Sequence, residues 1–142
     1  LVGVKGYAQA LKEGGLGFDP ALILGGDLTT RFGKAAALAL RALPSPATGF
    51  VCVNESTALG VLSGLHETGA VIGREASVIA YDDINASAYF HPPLTTLLYP
   101  LETLSRVLAK FMLRLLGGES PEGLTHFVRP DLIIRQEDRL LT

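Results

Sequence analysis

The stretch VIAYDDINASAYFHPPLTTLLYP, from Val78 to Pro100, decides how the rest of the chain is read. An apolar run stops at two adjacent acids, Asp82 and Asp83. An aromatic pair follows, Tyr89 and Phe90, then His91, two prolines and Leu94-Thr95-Thr96. A continuous apolar run suits a strand covered on both faces, as in a parallel sheet. Acids at the end of such a strand suit the carboxyl edge, where open α/β sheets bind ligands. Proline lacks an amide donor and fixes φ, so Pro92 and Pro93 read as a stiffened crossing after the strand.

Outward from this stretch the pattern repeats. TGFVCVN (48–54) reads as a strand, and ESTALGVLSGLHETG (55–69) as a helix closed by Gly69. Before them, ALILGG (21–26) is a short apolar strand, and RFGKAAALALRAL (31–43) a helix stopped by Pro44 and Pro46. Gly6 to Glu13 reads as a further helix, with Tyr7, Ala10 and Leu11 on one face. Strands alternating with helices of this length predict an α/β fold with a parallel sheet, flanking helices and right-handed crossovers. Downstream, LETLSRVLAKFMLRLLGG (101–118) carries a wide apolar stripe at helical spacing, including Leu104, Leu108, Phe111, Met112 and Leu115. THFVRPDLIIRQED (125–138) reads as one or two strands broken at Pro130.

Composition bounds the function. With 142 residues the chain holds one domain or two small lobes. It is 48% hydrophobic and 18% charged, which supports a packed core and argues against disorder. The net charge is −2 and no basic cluster stands out, so this stretch is a poor candidate for gripping nucleic-acid phosphates. The single cysteine, Cys52, rules out an intrachain disulfide; it reads as a small buried hydrophobe and fits a reducing, cytoplasmic compartment. No uncharged run reaches the roughly 18 residues a membrane helix needs, so no membrane partner is expected. The chain has no initiator Met and its first residues already look helical, so more protein is expected upstream.

The predicted strands end at Asp27, Asn54 and Asp82, spaced 27 (54 − 27) and 28 (82 − 54) residues apart. In a parallel sheet these ends share one edge. Two carboxylates that accept hydrogen bonds, and an amide that donates and accepts, suit a polyhydroxylated molecule such as a sugar. They repel a phosphate. Asp27 reads equally as the cap of the next helix, and Asn54 as the cap of the helix from Glu55. Asp83 reads as a structural acid binding loop amides. Metal, P-loop and nucleophile-elbow patterns are absent, and Gly25-Gly26 is not a dinucleotide fingerprint. Neither enzyme activity, a metal nor a cofactor is expected.

GYAQAL, GGDLTTRFGKAAALAL, VCVNESTALGVLSGLHETG and ASVIAYDDINASAYFHPPLTTL run in the order found in one family. The chain resembles the C-terminal part of the effector-binding region of the lac repressor/galactose repressor family of transcriptional regulators. The resemblance implies a periplasmic-binding-protein-like fold with two lobes and a ligand in the cleft. It assigns 1–98 and 126–138 to the C-terminal lobe and 99–125 to a segment crossing into the N-terminal lobe. It implies a sugar or sugar-derived effector held by Asp82 and Asn54, with Asp27 on the same rim. Leu28 stands where the family has a ring-stacking aromatic, Gly3 where it has an arginine, and Glu55 where it has aspartate. It also implies a homodimer, and operator DNA read by an N-terminal domain absent from this chain. The alternative is an exported sugar-binding protein of a transport system, which shares the fold.

Overall fold

The computed structural model describes residues 2–81 and 86–135. Among the described residues four α-helices are formed: α1 (Val2–Glu13), α2 (Thr30–Arg41), α3 (Glu55–Glu67) and α4 (Leu101–Leu116). Four strands, β1 (Gly49–Cys52), β2 (Ser77–Tyr81), β3 (Thr95–Leu98) and β4 (Asp131–Ile133), make one sheet in the order β1-β2-β3-β4. β1 pairs with β2, and β2 with β3, in parallel; β4 returns antiparallel to β3.

Local chemistry sets the element ends. The Thr29 hydroxyl accepts the Phe32 amide at 3.2 Å and opens α2. The Asn54 carboxamide accepts the Thr57 amide at 2.8 Å and opens α3. These bonds occupy amides that have no partner within the helix. Gly69, at φ 73°, lets the chain turn after α3 in a left-handed conformation that a side chain would strain.

The core lies between α2, α3 and one face of the sheet. Ala37, Phe50, Cys52, Ala58, Val61, Leu62, Leu65, Val78, Ala80 and Leu94 form it. Small residues bring α2 and α3 into backbone contact. A Cβ placed on Gly60 would stand 2.0 Å from the Thr30 carbonyl oxygen, and one on Gly33 would stand 2.1 Å from that of Thr57.

Several sequence expectations change here. Residues 21–26 do not form a strand. Asp19 accepts the Ala21 amide at 2.8 Å and Pro20 opens a short 3-10 turn, Pro20–Leu22. Leu22 and Leu24 are left exposed, and β1 remains the outer strand of the sheet. A strand is held by a hydrogen-bonded neighbour, and this apolar run has none in the sheet. β3 is the converse: Pro92 and Pro93 read as a crossing, yet a strand, Thr95–Leu98, follows them before the chain leaves the sheet. The return segment is a single strand after Pro130, and it makes the sheet mixed. In β1 cover holds on one face only, since Phe50 and Cys52 are buried while Val51 is exposed; in β3 the consecutive Thr95 and Thr96 are both buried, so both faces are covered there. α1 starts at Val2 rather than Gly6. Among the described residues, neither α1 nor α4 has a buried side chain.

Candidate functional site

The parallel register aligns the carboxyl ends of β1, β2 and β3. Cys52 stands opposite Ala80, and Tyr81 opposite Leu97. The residues that follow, with Asn54 beyond β1 and Tyr99 beyond β3, therefore occupy one edge of the sheet. This is the edge at which crossover folds bind ligands.

Asn54 organises that edge. Its Oδ1 accepts the Thr57 amide, and its Nδ2 donates to the Leu28 carbonyl at 3.3 Å. One side chain thus joins the first turn of α3 to the loop that enters α2. Asn54 is half-buried, and its amide keeps a second hydrogen and a second lone pair for an incoming hydroxyl. The Leu28 side chain is 57% exposed, an apolar surface beside polar groups. Asp27 is exposed, and its carbonyl accepts the Thr29 amide at 2.8 Å. That turn places Thr29 at the start of α2, so Thr29 and not Asp27 caps the helix, whereas Asn54 does cap α3. Asp82 and Asp83 lie outside the described residues.

Sequence reading gave no role to the pair Glu55 and Ser87. Glu55, the first residue of α3, is 4% exposed, and Ser87 is fully buried. The Ser87 hydroxyl donates to Glu55 Oε1 at 2.5 Å. No short-range signal marks a contact between residues 32 positions apart. A separate shallow hollow of about 320 Å³ lies along α3, lined by Leu59, Leu62, Ser63, His66, Phe90 and His91. It contains none of the residues expected on the rim. His66 is exposed there, with Nε2 3.1 Å from the His91 carbonyl. Among the described residues no cluster of three potential metal ligands occurs, and no helix is long and apolar enough to cross a membrane.

A mostly parallel sheet with flanking helices and a polar rim at its strand ends is a periplasmic-binding-protein-like lobe. The profile of the periplasmic binding protein-like domain matches residues 4–136, and the chain belongs to that family. Within it, the chain is 33% identical over 138 residues to the HTH-type transcriptional repressor CytR of Escherichia coli (strain K12), which covers 97% of this chain and 40% of the relative. The chain thus spans about 40% of the length of the curated relatives it matches. A regulatory protein of the LacI family from Chloroflexus aggregans superposes with a TM-score of 0.86 at 28% identity, over 94% of this chain and 48% of that one. A LacI family transcriptional regulator from Arthrobacter sp. FB24, solved in complex with lactose, superposes with a TM-score of 0.79 at 25% identity, over 94% and 49%. The resemblance to the lac repressor/galactose repressor family is met: these relatives and structural neighbours are transcriptional regulators.

Proposed function

We propose that this chain is the effector-binding part of a sugar-responsive, DNA-binding transcriptional regulator. The observation that carries the reading is the Asn54 side chain, which ties Leu28 to the first turn of α3 on the carboxyl rim. That arrangement sets an amide beside an exposed apolar side chain, the pairing a ring with hydroxyls on its edge and carbon on its face requires. The lactose complex of the Arthrobacter regulator supports the ligand class. Asp82, Asn54, Leu28 and Asp27 are the residues we assign to the effector. The chemistry is binding and not turnover.

The proposal extends to the longer protein. Residues 1–98 and 126–138 belong to one lobe, and 99–125 cross into a second. The absence of buried residues on α4 supports this, because its packing surface is then supplied from outside the chain. DNA is read by an N-terminal helix-turn-helix, in keeping with the name of the CytR relative. The protein acts in the cytoplasm as a homodimer.

Calorimetric titration of the full-length protein with lactose and related disaccharides tests the reading. A hydrogen bond to a charged acceptor is worth roughly 1.5–3 kcal/mol. Asp82→Ala is therefore expected to weaken binding by about one to two orders of magnitude. Wild-type affinity in that variant makes the acid structural and removes it from the site.

A further inference from the structure

We propose that Glu55 is a positioning residue of the effector rim, holding the loop of residues 86–91 in register with Asn54 through Ser87. The proposal rests on the effector-binding reading above.

A carboxylate is seldom buried unless it is bonded. Glu55 is buried one residue beyond Asn54, at the start of α3, where the helix amides favour negative charge. Its Oε1 accepts from the Ser87 hydroxyl. The Ser87 carbonyl in turn accepts the Leu94 amide at 2.9 Å, just before β3. The loop is thereby fixed between the first turn of α3 and the start of β3. A second tether, from His66 to the His91 carbonyl, holds its far end against the last turn of the same helix. The loop lies along α3 and is pinned at both ends. Glu55 and Asn54 are consecutive, so displacing the loop at Ser87 pulls on the backbone that carries the Asn54 cap and its bridge to Leu28. A side chain that only fills the core makes no such link: losing it loosens the whole body evenly.

Hydrogen–deuterium exchange in the full-length protein distinguishes the two. Peptides covering 54–60 and 86–94 are followed, with 77–81 as a reference. Ser87→Ala and Glu55→Ala are expected to speed exchange about tenfold in the first two and leave the reference unchanged. Glu55→Gln, which keeps an acceptor oxygen, is expected to restore wild-type exchange. Acceleration confined to 86–94, or equal in all three peptides, overturns the proposal. Calorimetric titration with lactose then reads the site. Ser87→Ala is expected to bind about tenfold more weakly than wild type, and Glu55→Gln like wild type. Equal affinity in wild type and Ser87→Ala overturns the positioning role. No heat from wild type with lactose and related disaccharides overturns the effector reading, and the rim role with it; the faster exchange at 54–60 and 86–94 in the variants, read without ligand, distinguishes that failure from failure of the Glu55–Ser87 tether.

Discussion

Asn54 uses both ends of its carboxamide, and two substitutions separate them. Asn54→Asp keeps the acceptor that caps α3 and loses the donor to Leu28. It is expected to change stability by less than about 1 kcal/mol while weakening effector binding. Asn54→Ala loses the cap as well and is expected to cost about 1–2 kcal/mol. Leu62, 4% exposed in the core, is the contrast: Leu62→Ala is expected to cost about 2–5 kcal/mol with affinity retained in the folded fraction. Thermal melts beside lactose titrations check all three. A fall in affinity for Leu62→Ala equal to that of Asn54→Asp removes the distinction. The cap at Asn54 was legible because it stands directly before an apolar-periodic helix. The bond to Leu28, 26 residues away, was not, since nothing local marks it. Asp27 lost the capping role for a local reason: the turn it accepts from Thr29 moves the helix start two residues on.

At the scale of elements, the contact between α2 and α3 depends on what is missing from Gly33, Gly60 and Gly64. A methyl group on Gly60 meets the Thr30 carbonyl, which belongs to the backbone of a packed helix and cannot swing away. Gly60→Ala is therefore expected to destabilise by about 3 kcal/mol or more, despite the better helix propensity of alanine. Ala35→Gly, on the exposed side of α2, is expected to cost only about 1 kcal/mol. Urea midpoints measure both, and a Gly60→Ala protein as stable as wild type rules out the close approach. Helical periodicity made all four helices legible, because each repeats its apolar residues within its own length. Strand state depends on neighbours. The apolar run at 21–26 has the composition of a strand but no pairing partner. Thr95 and Thr96 follow shortly after the two prolines and carry no strand reading, yet they pair with β2. Arg135 reinforces them from 40 residues away, its amide donating to Thr95 Oγ1 at 2.7 Å and its guanidinium to Thr96 Oγ1 at 3.0 Å.

At the scale of the molecule, α4 exposes Leu101, Leu108, Met112 and Leu116, each more than half accessible. A contiguous apolar surface of this kind drives association. The 142-residue chain is expected to sediment as a dimer or larger species, and Leu108→Lys with Met112→Glu is expected to shift it toward monomer. Wild type that sediments as a monomer at every concentration overturns this. The same chain, at net charge −2, is expected to bind operator DNA no more tightly than random DNA at physiological salt, as fluorescence anisotropy would register. The pairing of β3 with β4 bears on α4 in another way. Leu98 stands opposite Asp131, so the chain departs from the sheet and rejoins it at neighbouring points. Seen as polymer topology, residues 99–130 are one long hairpin loop. Closing a loop costs about 0.6 kcal/mol more for each doubling of its length, so this one costs about 2 kcal/mol more than a tight turn. Replacing 99–130 by Asn-Gly recovers that entropy and removes the exposed helix in one step. The shortened chain is expected to keep its four-stranded sheet, melt no lower than the parent and lose its tendency to associate, leaving the rim on a self-sufficient scaffold.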